Sequence, residues 1–361
     1  MRREAMHHEL PDPSVNVKRK TMELQLKNIG MIKEANVKID GLTVIAGEND
    51  TGKSTLSKAL YCIFEGLPDT TDTVYGAKNY EETFPLIIEN VFQDKYEKLF
   101  YNEESSMALR LGNGKTTYTG FATEFRGDGL IDIEVLREDL ENYLTNIYFI
   151  ETPLVWSFQE MFQSSELVES YMKSRKQNIE MHYPFLLKDL YFNLSTKLDN
   201  FYVPKNTKKN LLKIMHGEFK EDENGIFHFH KNDKILNLFN VATGIKSFGI
   251  LQVLLDNNRL TPTSLIIFDE PEVHLHPKWQ LEMAKIIVEL VKNGVKIVVN
   301  SHSPYMIQAL IKYARDKEIV DKSNFYLTKK EDDSVVINNV NDELNKIFEL
   351  LAEPMNEVFE L

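Results

Sequence analysis

Gly47-Glu48-Asn49-Asp50-Thr51-Gly52-Lys53-Ser54 fits the spacing G-x-x-x-x-G-K-[ST] without a gap. That spacing suits a polyphosphate. Gly47 and Gly52 permit backbone angles that turn successive N–H groups inward around phosphate oxygens. A helix starting near Lys53 adds the positive end of its dipole. Lys53 is then placed for the β- and γ-phosphates, and the Ser54 hydroxyl for Mg²⁺. Asn49, Asp50, Thr51 and Thr55 complete the candidate nucleotide loop. Asp50 is out of character, because an acid beside phosphates is repelled. Its side chain is expected to point outward while the backbone binds.

A second cluster lies more than two hundred residues on. The apolar run Leu265–Phe268 leads straight into Asp269-Glu270-Pro271-Glu272. A carboxylate at the tip of a buried strand beside a phosphate loop can hold a magnesium hydration shell, and Asp269 suits that role. Glu270, one residue further, is placed to polarise an attacking water. The next apolar run, Val295–Val299, ends in Asn300-Ser301-His302-Ser303-Pro304. His302 is expected to meet the γ-phosphate and help position the water.

Three elements must place these groups: a strand before the loop, a helix after it, and strands ending at Phe268 and Val299. Leu42–Ala46 is nearly all apolar, as a strand buried on both faces requires. Ser54–Glu65 has helical spacing at Leu56, Leu60 and Ile63. Alternating runs at 22–27 and 34–39 predict two further strands, and Asn146–Ile150 another. Thr83–Phe100 reads as one helix. The stretch 107–123 reads as a hairpin around Gly112-Asn113-Gly114, and 217–230 as one turning at Asn224-Gly225. Residues 157–216 are charged, glycine-free and helical in pattern. Lys278–Lys292 and Pro304–Ala314 read as helices and Asn324–Leu327 and Val335–Ile337 as strands. A last helix is expected from Glu343, capped by Asp342. Strands alternating with helices predict an α/β fold with a mixed, mainly parallel sheet. The expected organisation is a flexible extension over 1–20, a first core part with a β insertion over 21–154, a helical insertion or lid over 155–216, and a second core part over 217–361.

Composition narrows the function. Apolar residues make up 42% of the chain, enough for a sizeable core. The net charge of −13 argues against a general nucleic-acid coat. The single cysteine, Cys62, allows neither a disulfide framework nor a cysteine-based zinc site within one chain, and reads as core packing. No secretion signal and no apolar run of membrane-spanning length is present, so a cytoplasmic location without membrane association is expected.

Taken in order, the strand, phosphate loop, acidic strand end and histidine turn resemble the ABC-class ATPase superfamily of P-loop NTPases. GENDTGKST, ATGIKS, FDEPEVHLHPKWQ and NSHSPY are similar to the branch holding OLD-family ATPase domains, RecF and SMC-type proteins, and stand-alone "AAA family ATPases" of prokaryotic defence loci. The resemblance covers roughly residues 22–64 and 236–328. It implies an ABC-like core, ATP and Mg²⁺ as cofactors, and a homodimer closing head to tail on two nucleotides. It also implies a signature loop reaching the nucleotide of the second copy. Val241–Ser247 matches best, with Gly244 for backbone approach, Thr243 or Ser247 for a hydroxyl, and Lys246 beside them. A glutamine that senses magnesium is implied too, with Gln159 and Gln163 as candidates. Use in phage defence or DNA repair follows, beside a separately encoded effector such as a nuclease or toxin.

Other constellations compete less well. The pairs His228/His230 and His274/His276 lack a third metal ligand by spacing, and the resemblance puts His274–Pro277 at the dimer interface. Lys205, Lys208, Lys209, Lys213 and Lys220 are either a solvated face or a contact for nucleic acid or an acidic partner. A nuclease within the chain is disfavoured, because the stretch after His302 is shorter than a domain of about 100 residues. A transporter subunit and a slow-turnover scaffold are the remaining alternatives.

Overall fold

The wholly apolar runs of the sequence form the middle of one large sheet. In the computed structural model, which describes residues 21–65, 80–112, 117–125, 131–136, 140, 142–165, 184–199 and 206–359, β3 (Leu42–Ala46) is flanked on one side by β12 (Lys296–Ser301), β11 (Ser264–Asp269) and the edge strand β7 (Asn146–Ile150). These four run parallel. On its other side β3 pairs in parallel with β13 (Ser323–Glu331). Beyond it come β14 (Ser334–Asn339), β2 (Ile32–Ile39), β1 (Thr21–Ile29), β4 (Ser106–Gly112), β5 (Thr117–Phe125) and β6 (Ile131–Val135). Apart from the parallel β14–β2 pair, the joins of this outer half are antiparallel.

The continuous apolar character of the central strands follows from burial on both faces. Leu42, Val44, Ile266, Phe268, Ile297 and Val299 face one apolar cluster; Ile45, Leu265, Ile267 and Val298 face the other. Each such side chain stabilises the fold by about 1.5–3 kcal/mol relative to exposure. The first cluster is closed by α6 (Thr243–Asp256), α7 (Pro277–Lys292) and α8 (Pro304–Asp316), the second by α1 (Lys53–Glu65) and α2 (Tyr80–Phe92). Cys62 is fully buried in α1, as its place in the apolar pattern implies.

The helix expected over Thr83–Phe100 is two. α2 ends at Phe92, and a four-residue helix, α3 (Tyr96–Leu99), follows. Gln93 between them takes φ +54°, and the Asp94 carboxylate accepts from the Lys95 N–H at 2.9 Å, which diverts the backbone from helix. The final helix, α9 (Asn345–Phe359), starts later than Glu343, and the residues before it form turns. The hairpin β8 (Glu218–Glu221) and β9 (Phe227–Lys231) turns where Asn224-Gly225 predicts, with Gly225 at φ +79°; a third strand, β10 (Lys234–Asn237), joins it. The helical stretch 157–216 is described only in part, including α4 (Phe185–Ser195) and α5 (Thr207–Met215). The extension 1–20, the Asn113-Gly114 turn and Lys205 lie outside the described residues.

Glu65 ends α1 and is coupled to Asp189 of α4. Withdrawal from water, and then the charge of Asp189, push the Glu65 carboxyl up to about 8; withdrawal from water pushes Asp189 up to about 6. Both exceed the unfolded values, so the folded chain keeps protons that the unfolded chain releases. Stability is therefore expected to fall as pH rises from about 4 to about 8. Glu65→Gln should flatten that fall and raise the melting temperature at pH 8, measured by thermal denaturation across this range.

Candidate active site

The parallel register brings the chemical groups to one edge. Asp269 stands opposite Asn300, and Ser301 opposite Ala46, the last residue before the phosphate loop. A cleft of about 690 Å³ opens there. Asn49, Asp50, Thr51, Gly52, Lys53, Ser54 and Thr55 line it, with Asp269 and Glu270 across from them.

The loop is locked from behind. Gly47 has φ +156°, and a Cβ there would fall 1.8 Å from Thr328 Oγ1, so no other residue fits. Thr328 Oγ1 donates to Thr51 Oγ1 at 2.6 Å, and Thr51 Oγ1 donates to the Glu48 carbonyl at 2.7 Å. Lys53 Nζ donates to the carbonyls of Gly47 at 3.1 Å and Glu48 at 2.5 Å. Burial pulls the Lys53 ammonium below its usual range, and the charges of Glu270, Asp269, Glu272 and Glu48 oppose that shift. Asp50 sits at φ +58° with its carboxylate turned out to Lys330, 3.3 Å away. The outward orientation expected from the sequence is thus accounted for.

Facing Lys53, the Ser54 hydroxyl donates to Asp269 Oδ1 at 3.0 Å. The same oxygen accepts from Asn300 Nδ2 at 2.8 Å, and Asn300 Oδ1 accepts from Ser57 Oγ at 3.0 Å. A hydroxyl and a carboxylate converging at one point are hard oxygen ligands of the kind Mg²⁺ takes. Glu270 is held at φ +54°, with its N–H bonded to the Asn300 carbonyl at 3.0 Å. Its Oε1 lies 3.1 Å from His302 Nδ1. Carboxylate oxygens only accept, so Nδ1 carries the proton. Both side chains are partly exposed, and Glu270 is the one that lines the cleft.

The signature-loop candidates divide. Ser247 lines the cleft. Thr243, Gly244 and Lys246 sit with it in the first turn of α6 but not on the cleft wall. Trp279 and Leu275 close over Gly244, where a Cβ would come within 2.7 Å of the indole. Packing within the chain therefore accounts for that glycine. Burial lowers the Lys246 ammonium. Neither candidate glutamine lines the cleft. Gln159 exchanges two hydrogen bonds with the Phe227 backbone, and Gln163 donates to the Asn224 carbonyl, so both clamp the small sheet. At the end of β7, Glu151, Thr152 and Pro153 line the cleft instead.

The histidine pairs hold no metal cluster among the described residues. His276 Nδ1 caps α7 by accepting from the Lys278 N–H at 3.2 Å, and His228 meets Asp222 at 3.0 Å. His274 lines the cleft at φ +65°. In the basic stretch, Lys208 pairs with Asp256 and Lys220 with Glu218, each at 2.5 Å, which neutralises part of its charge. No helix among the described residues is long and apolar enough to cross a membrane.

Sequence reasoning passed over Asn300. Its type is the signal: a polar residue closing an apolar strand, wholly buried, needs partners, and Asp269 and Ser57 supply them. Asn300→Ala leaves both one partner short and is expected to cost about 1–3 kcal/mol. Urea unfolding of the variant against wild type measures this.

Residues 146–308 match the family model described as "AAA domain, putative AbiEii toxin, Type IV TA system". The chain is 23% identical over 316 residues to the Septu protein PtuA of Bacillus thuringiensis, covering 80% of this chain and 72% of that protein. Among solved structures it resembles an SMC head bound to the C-terminal winged-helix domain of ScpA, with a TM-score of 0.51 at 14% identity over 90% of this chain and 98% of that one. With its phosphate loop and acidic strand end at one cleft, the chain has an α/β P-loop fold like that of an SMC head.

Proposed function

We propose that the protein is an ATP-hydrolysing switch that closes as a homodimer around two ATP–Mg²⁺ and controls a separately encoded effector in phage defence. The observation that carries this reading is the convergence of Lys53, Ser54, Asp269 and Glu270 on one cleft, with His302 bonded to Glu270 from behind that wall. The description of the matched family as a toxin–antitoxin system and the similarity to a Septu protein favour defence over DNA repair.

The roles follow from the geometry. The loop amides and Lys53 bind the phosphates, for which Lys53 exchanges its present bonds to the loop carbonyls. Ser54 and Asp269 would hold a magnesium ion, which would supply neutralisation of phosphate charge. Glu270 orients the attacking water and takes its proton. His302, held at Nδ1 by Glu270, contacts the terminal phosphate through its other nitrogen. Thr243, Lys246 and Ser247 sit at the N-terminal end of α6, where Ala242 supplies no side-chain cap. Unfilled amides there favour an anion, such as the phosphate of the partner copy's nucleotide.

ATP turnover of the wild type, Lys53→Ala and Glu270→Gln tests this. Both variants are expected to lose about 100-fold or more in kcat. Glu270→Gln is expected to keep ATP binding and to gather as a dimer in ATP and Mg²⁺, read by sedimentation. Equal rates in all three would sink the assignment.

A further inference from the structure

The proposed chemistry leaves one buried acid unused. Glu272 is 5% exposed, yet one of its oxygens, Oε2, has no hydrogen-bond partner. Its other oxygen is heavily used. Oε1 accepts from the Ser301 hydroxyl at 2.7 Å, the His302 N–H at 2.9 Å and the Ser303 N–H at 3.1 Å. These bonds tie the turn after β11 to the turn after β12. Ser303 is fixed in turn: its hydroxyl bonds Gln280 Oε1 at 2.6 Å and caps α8 by accepting from the Met306 N–H at 3.3 Å. The backbone of His302 is therefore clamped, and its side chain is the part left to move.

The imidazole lies between two carboxylates. His302 Nδ1 is 3.1 Å from Glu270 Oε1 and 3.5 Å from Glu272 Oε1. The first is a hydrogen bond; the second is just beyond one. While His302 holds Glu270, that carboxylate has one acceptor site fewer for a water. The nearer oxygen, Oε1, is already filled by three donors, but the same buried carboxylate keeps acceptor capacity in Oε2, so it is Oε2 that an imidazole turned toward Glu272 would engage.

We infer that Glu272 is a positioning residue that acts as the alternative acceptor for His302. In the state shown here, His302 Nδ1–H is bonded to Glu270. When nucleotide fills the cleft, the proton donor passes from Glu270 to Glu272 by a small rotation of the imidazole. Glu270 is thereby freed for water, and the other ring nitrogen is held toward phosphate. No bond is made or broken beyond this exchange of hydrogen bonds. The inference rests on the ATPase reading for its consequence in turnover, but the exchange itself can be observed without turnover.

The test pairs kinetics with spectroscopy on the full chain. Glu272→Gln keeps an acceptor for the backbone amides and removes the charge. It is expected to lower kcat about tenfold with KM for ATP changed less than about twofold, and to leave the melting temperature close to wild type. In a His302→Ala background the same change should have no further effect on kcat. An unaltered kcat, or an equal loss with and without His302, would overturn the proposal, since a merely structural Glu272 would act in both backgrounds. Long-range ¹H–¹⁵N spectra of the imidazoles supply the second readout, with the His302 signal identified by its absence in His302→Ala. In Glu270→Ala, Nδ1 should remain protonated because Glu272 takes over; in Glu270→Ala/Glu272→Gln the proton should shift toward Nε2. Loss of the Nδ1 proton in Glu270→Ala alone contradicts the exchange. Should wild-type turnover not exceed that of Lys53→Ala, the ATPase reading fails and the spectra alone decide this one.

Discussion

The site depends on the parallel register of β3, β12 and β11. Because Ala46, Ser301 and Asp269 end their strands at nearly one level, three turns open on the same edge of the sheet. A slip of one residue would exchange the two faces of a strand, moving Val298 or Phe268 from one apolar cluster to the other. The apolar residues thus fix the register, and the register fixes where the polar residues meet. The Ser54–Asp269–Asn300–Ser57 chain then stitches the phosphate-loop helix to two strand ends.

This arrangement collects like charge. Asp269, Glu270 and Glu272 lie within four positions of each other, and Lys53 is the cation whose charge they act on most directly. Its burial lowers its pKa although four carboxylates work the other way, so withdrawal from water dominates. Divalent cation and polyphosphate together change this balance in a way neither does alone. In the proposed site the cation would meet the acids, and the phosphates the lysine and the loop amides. That mutual need is a physical reason for a P-loop ATPase to take its nucleotide with Mg²⁺.

Much of this was legible in the sequence because the signals were local. The glycine and lysine spacing of 47–54, the acids after Phe268 and the histidine after Val299 each announce their chemistry within a few residues. The central strands were legible because burial on both faces leaves an uninterrupted apolar run. The rest depended on contacts distant in sequence. Gln159 and Gln163 follow a strand end, as a metal-sensing glutamine would, yet Phe227 and Asn224 claim them from over sixty residues away. Gly244 has the type expected for close approach to phosphate, but Trp279 explains its missing side chain. The break at Gln93 turns on one positive φ and one aspartate bond, neither visible in apolar spacing.

Gly244 also shows how packing ties the start of one helix to a distant turn. The indole of Trp279 and the side chain of Leu275 pack over the first turn of α6, and both belong to the segment that follows the acidic turn. The start of α6 is thereby coupled to the chain that carries Glu270, Glu272 and His274. Movement of that segment would carry the uncapped amides of α6 with it. The packed aromatic contact is thus the physical link between the start of α6 and the turn that carries the acids. Rigid packing of this kind transmits small shifts, because an interior at native density has little free space to absorb them.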